Sequence, residues 1–274
     1  MKEQIALVTG ASAGIGRATA LALSSAGFLT YGSARQPDAL LDLQEHGVKP
    51  LELDVTREAT MEKAVRTIEE RHGCIDLLVN NAGYSEMGPI EEISSERIRR
   101  QFKTNVFGPI HLSQLVIPAM RRQGAGRIIN VSSMGGTFTT PYSGIYHASK
   151  YALESISDAL RYELEPFGIE VVVIQPAVVN TRSAGMVSES FPIPPDSPYR
   201  EELLAYRRFL QDNASANKDP VLPEDVAKVI LKAAIAPKPE TRYRAGKEAE
   251  QLQQMRRQLS DREWDALFRG QFGV

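Results

Sequence analysis

Tyr146 and Lys150 stand four residues apart in Tyr146-His147-Ala148-Ser149-Lys150, and Ser133 lies thirteen residues before the tyrosine. On a helix the tyrosine and lysine share a face, one turn apart. An ammonium beside a phenol favours the ionised form and lowers the tyrosine pKa. A tyrosine tuned in this way can give or take a proton near neutral pH. The same spacing also fits two solvated residues of an amphipathic helix, so the pair takes its meaning from the rest of the chain. His147 follows Tyr146 directly, which turns it roughly 100° from the Tyr–Lys face. His46, His72 and His111 show no metal-ligand spacing, so no metal site is expected.

A second chemistry-bearing stretch lies near the start, Ile5-Ala6-Leu7-Val8-Thr9-Gly10-Ala11-Ser12-Ala13-Gly14-Ile15-Gly16-Arg17. An apolar, β-prone run enters a glycine-rich turn, and Ile15, Ala18, Leu21 and Ala22 then recur at helical spacing. Glycines let a backbone approach a pyrophosphate closely and turn sharply into a helix. The helix N-terminus offers N–H groups and the positive dipole end to phosphates. The spacing is Gly-x-x-x-Gly-x-Gly, not the Gly-x-Gly-x-x-Gly of the common dinucleotide fingerprint.

Further short signatures follow at the ends of apolar runs. They are Asp54-Val55, Asn80-Asn81-Ala82-Gly83, Asn105 within Lys103-Thr104-Asn105-Val106, and Ser132-Ser133 after Ile128-Ile129-Asn130-Val131. With the glycine turn and the Tyr-x-x-x-Lys pair, the chain resembles the short-chain dehydrogenase/reductase family of the single-domain type, over roughly residues 4–182. The stretches at 31–35 and near 242 are loosely similar to members acting on steroid- or retinoid-type alcohols. The resemblance implies that Tyr146 is the proton donor or base, and that Lys150 assists it and binds the nicotinamide ribose. It implies that Ser133 holds the substrate oxygen and that Asn105 supports a proton relay. The cofactor would be held by Gly10, Ser12, Gly14, Ile15, Gly16, Asp54, Val55, Asn81, Ala82, Gly83, Tyr146, Lys150, Pro176, Val179 and Thr181. The family usually carries Pro-Gly-x-x-x-Thr after the sixth strand, and here Ala177 replaces that glycine.

Cofactor choice turns on the end of the second strand, where an acidic residue would hold the ribose diol of NAD. The family's acidic position falls on Ala34, followed by Arg35. A guanidinium pairs with a 2′-phosphate, and Ser12 can add a hydroxyl, so NADP is expected. Arg17 can add positive charge, although it lies inside the first helix, where a solvated surface role also fits. Asp38, just past Pro37, reads as a helix cap.

These residues need a scaffold. Strand patterns at 4–9, 28–34, 49–54, 75–80, 126–132, 169–175 and near 241–245 alternate with helical patterns at 15–26, 57–72, 95–122 and 146–167. Near-continuous apolar strands separated by helices predict an α/β fold: a doubly wound, Rossmann-like parallel sheet in three α/β/α layers with about seven strands. The motifs fall at the carboxyl ends of those strands, where ligands bind. The 274 residues suit a single domain spanning 1–274. Prolines 192, 194, 195 and 198 mark a lid at 182–200, in a substrate loop of about 182–222. Residues 247–270 read as a charged helical tail that packs on the domain or on a partner subunit. Tyr84, Met134, Gly135, Tyr142 and Met186 are the expected substrate-facing set, which suits an apolar ketone or alcohol of medium size.

Net charge of −2 gives no electrostatic case for nucleic acid or an anionic membrane. The single cysteine, Cys74, precludes an internal disulfide. The start lacks a signal-peptide pattern and no run reaches membrane-span length, so a cytoplasmic protein is expected. A homodimer through the 95–122 and 146–167 helices is favoured over a tetramer. A regulatory dinucleotide-binding protein of the same fold is the alternative to an enzyme. A nucleotide-sugar epimerase would need a larger C-terminal part than roughly 90 residues.

Overall fold

The computed structural model describes residues 3–179, 193–216 and 220–272. Seven strands form one parallel sheet: β1 (Ile5–Thr9), β2 (Leu29–Ala34), β3 (Lys49–Glu52), β4 (Leu77–Asn80), β5 (Gly126–Val131), β6 (Ile169–Pro176) and β7 (Arg242–Ala245). Their order is β3-β2-β1-β4-β5-β6-β7. The chain moves outward from β1 to β3, then crosses back to β4 on the other side of β1. That reversal opens a crevice above the carboxyl ends of β1 and β4. Every residue of β1 and β4 is buried, as a sheet covered on both faces requires.

Alternate strand residues feed two cores. On one face Leu7, Leu78 and Ile128 meet Met61, Ile68, Leu112 and Met120 of α2 (Glu58–His72) and α4 (Gly108–Gln123), while α5 (Gly144–Leu164) covers β6. On the other face Val8, Val79 and Ile129 meet Leu23 of α1 (Gly14–Ser25), and Leu40 comes from a 3₁₀ helix at Pro37–His46. Here too lies a helix just past the expected loop, at Pro223–Ile235, with Val226 and Ile230 in the core. Arg127 on β5 donates to the carbonyls of Ala233 (2.6 Å) and Ala236 (2.8 Å) and pairs with Glu170, which caps the end of that helix.

The structure departs from the sequence expectation in four places. The 95–122 pattern is not one helix: α3 (Ser95–Phe102) runs into a π-helical turn at Lys103–Phe107 before α4 begins. The expected loop at 182–222 contains a seventeen-residue helix, α6 (Arg200–Ala216), so the Pro223–Ile235 helix is α7. Proline punctuation ends at Pro198, and Leu203 and Tyr206 then bury one helical face. The charged tail is two helices, α8 (Lys247–Gln258) and α9 (Asp261–Phe272). Ser260 breaks it with a reciprocal cap: its N–H donates to Glu263 Oε2 (2.8 Å), while its hydroxyl accepts from the Glu263 N–H (3.4 Å). Asp38 caps nothing. The 3₁₀ helix starts at Pro37 behind Gln36, with no side-chain cap, and Asp38 lies exposed in its first turn.

Among the described residues, no helix is long and apolar enough to cross a membrane, and no cluster of His, Cys, Asp or Glu is arranged to hold a metal.

Candidate active site

The turn from β1 into α1 forms a backbone cradle. Gly10 and Gly14 adopt left-handed φ values of 69° and 54°. Gly16 is there because of close approach: a Cβ would fall 2.3 Å from the Gly10 carbonyl oxygen and 2.4 Å from Asn81 Nδ2. Ala13 offers α1 no side-chain cap and its first turn has no acid, so its leading N–H groups remain available to an anion. Ser12 is exposed on the turn and Ile15 is half-buried.

Thr9 ties this cradle to β4. Its Oγ1 accepts the N–H groups of Asn81 (2.9 Å) and Ala82 (3.0 Å), and Asn81 Nδ2 donates to the Thr9 carbonyl (2.9 Å). The sequence reading counted Thr9 in the Thr-Gly-x-x-x-Gly-x-Gly motif but gave it no role of its own. Asp54 accepts from the Thr56 N–H and hydroxyl (2.9 and 2.8 Å), and buried Val55 packs against Gly108. Gly83 lies against Asn105. These glycines, N–H groups and bracing polar contacts fit a pyrophosphate-bearing dinucleotide.

β2 ends on buried Ala34, and Arg35 is exposed immediately beyond it. Arg17 does not share this freedom: it forms a two-point ion pair with Asp42 of the 3₁₀ helix, which compensates its charge.

At the far end of the crevice, β5 ends at Val131 and Ser133 opens a 3₁₀ turn, Met134–Gly136. Ser133 Oγ accepts from the Gly135 N–H at 3.1 Å. Helix α5 starts at Gly144, which puts Tyr146 in its first turn and Lys150 in the next. The Tyr146 hydroxyl shares hydrogen bonds with Ser133 and with Ser85. Ser85 was not anticipated from sequence; its position two residues past the Asn81-Ala82-Gly83 turn is the available signal. Buried Lys150 donates from Nζ to the Val131 carbonyl at 2.8 Å and lies 5.9 Å from the Tyr146 ring centroid. Asn105 sits in the π-helical turn. Its Nδ2 donates to Ser149 Oγ (3.1 Å) and to the Tyr84 carbonyl (3.0 Å), and its Oδ1 accepts from the Tyr84 N–H (3.2 Å). The π turn thus aims Asn105 into the first turns of α5, as such bulges do at functional sites.

The electrostatics correct one sequence expectation. Burial pushes the Tyr146 phenol above its ordinary value, against the opposing pull of hydrogen bonds from Ser133 and Ser85. Lys150 is not among the groups that shift the phenol; burial lowers Lys150 itself to about 8, with Glu154 opposing that shift. The phenol is therefore favoured in its protonated form. His147 lies buried with Nδ1 3.2 Å from the Thr139 hydroxyl, and burial lowers it to about 4.

The expected substrate-facing residues separate. Met134 and Tyr142 join an apolar cluster built from Met87, Phe138, Leu203, Tyr206, Trp264 and Phe268. Tyr142 has a left-handed φ of 60°, its carbonyl accepts from the Gly88 N–H (2.8 Å), and its ring meets Tyr206 edge-on. Tyr84 turns its ring to Arg100. Gly135 is buried, and the place of its missing Cβ is filled by His147. Pro176 and Ala177 are buried at the end of β6, and Val179 bridges to Val221. Thr181 and Met186 lie outside the described residues, as does most of the expected lid.

A family model described as short chain dehydrogenase matches residues 4–190. A 3-ketodihydrosphingosine reductase of Bacteroides thetaiotaomicron is 41% identical over 181 residues, 66% of this chain and 66% of that one, so the match spans just under two thirds of that relative. An actinorhodin polyketide ketoreductase solved with NADPH is 28% identical with a TM-score of 0.76, covering 88% of this chain and 95% of that one. A short-chain dehydrogenase/reductase from Burkholderia phymatum solved with NAD is 26% identical with a TM-score of 0.80, covering 94% of each chain.

Proposed function

The chain belongs to the short-chain dehydrogenase/reductase family, and on that footing we propose that it is an NADP-dependent oxidoreductase interconverting an apolar carbonyl and its secondary alcohol. The observation that carries this reading is the meeting of the Ser133 and Tyr146 hydroxyls beside Lys150. They meet in the same crevice as the glycine cradle. When bound, the reduced nicotinamide supplies a hydride to the carbonyl carbon. Tyr146, which holds its proton, donates it to the carbonyl oxygen. Ser133 hydrogen-bonds that oxygen and stabilises the charge that develops there. Lys150 holds the nicotinamide ribose, and Asn105 supports the return of a proton from solvent. In the oxidative direction Tyr146 takes the alcohol proton instead.

Three residues support NADP: Ala34 cannot hold a ribose diol, Arg35 has no ion-pair partner among the described residues, and Ser12 is exposed on the turn. Met134 and Tyr142, half-buried against the apolar cluster near Ser133, support an apolar substrate of medium size. The 3-keto lipid named for the Bacteroides relative is a ketone of that chemical class. Exposed Phe107, Tyr151 and Tyr162 beside and along α4 and α5 support a homodimer through those helices, and Cys74, a buried thiol, suits a reducing cytoplasm.

The test is NADPH and NADH oxidation by the purified protein with a panel of ketones of increasing chain length. The expected result is turnover with NADPH, rising with apolar chain length. Turnover confined to NADH, or to charged or sugar substrates, would refute the proposal.

A further inference from the structure

We propose that Trp264 on α9 is a positioning residue for the catalytic centre, acting through Thr139 and His147 on the turn that carries Ser133. The inference rests on the reading of Ser133 and Tyr146 as the reacting groups. Trp264 is buried, edge-on to Phe138 (ring centroids 5.2 Å) and tilted on Phe268 (4.9 Å). Its indole N–H donates to the Thr139 carbonyl at 3.0 Å. The Thr139 hydroxyl lies 3.2 Å from His147 Nδ1. The opposite edge of that imidazole fills the place of a Gly135 side chain: a Cβ there would fall 2.3 Å from Nε2 and Cδ2. The Gly135 N–H in turn donates to Ser133 Oγ. Each link is a direct contact, with Thr139 exposed and the other groups buried or half-buried, and the last one fixes the hydroxyl that Tyr146 meets.

Two features make this more than packing. Trp264 lies beyond residue 190, outside the stretch matched by the family model, yet its hydrogen bond returns to the segment between Ser133 and Tyr146. His147 also immediately follows Tyr146 and meets Phe138 edge-on, so its ring is wedged between the Ser133 turn and the start of α5. Burial keeps the imidazole neutral near neutral pH, which suits a wedge and not a proton carrier. A wedge without a side chain opposite it explains why residue 135 is glycine.

The experiment compares Trp264→Phe, Gly135→Ala, His147→Ala and the double variant Gly135→Ala/His147→Ala with wild type and Tyr146→Phe. kcat with a small ketone, NADPH affinity by fluorescence and thermal midpoint are measured for each. Trp264→Phe keeps an aromatic ring but deletes the N–H together with the pyrrole half of the indole; kcat should fall about tenfold, the scale of one lost hydrogen bond, with NADPH affinity held within about twofold. Gly135→Ala should lose more, because its methyl displaces His147. Removing His147 in that background should restore part of the loss, so the two changes are not additive. Wild-type kcat in Trp264→Phe, or additive losses in the double variant, would overturn the proposal. So would a loss in Trp264→Phe that tracks NADPH affinity or thermal midpoint, since that marks a purely structural role. If Gly135→Ala does not fold, Trp264→Phe decides alone. An inactive Tyr146→Phe beside a fully active Trp264→Phe removes only the relay; an active Tyr146→Phe removes the catalytic reading beneath it.

Discussion

Lys150 reaches past Tyr146 to the end of the neighbouring strand, where its Nζ donates to the Val131 carbonyl at 2.8 Å. The contact holds a buried ammonium at the floor of the crevice, and burial lowers Lys150 from 10.5 to about 8. Between those values the folded chain binds fewer protons than the unfolded one, so stability rises with pH across that window. The cost of burying the charge is complete below about 8 and gone above the unfolded value. Lys150→Met removes this titration. Its stability relative to wild type should be greatest near neutral pH and should narrow as pH rises toward 10, by on the order of 2–3 kcal/mol. Urea unfolding across that range measures it, and a constant difference would count against it. The same variant should lose NADPH affinity.

Arg35 stands directly after Ala34 at the end of β2, with no acid at the ribose position. A charge-assisted phosphate contact contributes about 1.5–3 kcal/mol, so Arg35→Ala should reduce preference for NADPH over NADH by roughly 10–100-fold. Ala34→Asp should shift preference toward NADH by supplying the diol acceptor. Ratios of kcat/KM for the two cofactors test both. Arg17→Ala should leave the ratio unchanged, because Arg17 is paired with Asp42.

Gly16→Ala would place a methyl against the Gly10 carbonyl and the Asn81 amide. Such overpacking costs about 1–3 kcal/mol. The thermal midpoint should drop and NADPH binding should weaken by an order of magnitude or more. Gly27→Ala is the control: nothing lies within 4 Å of its Cβ position, although its φ of 92° imposes backbone strain. It should lose stability without the matching loss of NADPH affinity. Equal NADPH affinity in both variants would refute the cradle.

Much of this was legible in the sequence for a physical reason. Parallel strands buried on both faces are written as apolar runs, as in β1, β4 and β6, while the partly exposed edge strands β3 and β7 also fall within their expected spans. The glycine turn and the Tyr146–Lys150 spacing are local, so one stretch of chain suffices to find them. What escaped depends on tertiary placement. The π turn at Asn105 leaves no composition signal, and the Ser85 contact joins segments sixty residues apart. The direction of the Tyr146 shift turned on burial, which spacing cannot report. The break at Ser260 was different: Ser260-Asp261-Arg262-Glu263 is a capping-box pattern in plain sight.

The central claim is that Tyr146 is the proton donor of a carbonyl reduction, and Tyr146→Phe tests it most directly. Wild type and variant are compared for NADPH binding by fluorescence titration and for NADPH oxidation with the best ketone of the panel. The account predicts unchanged NADPH affinity and kcat lowered by about 10²-fold or more, the scale of a lost general acid. Near-normal kcat in Tyr146→Phe would contradict it.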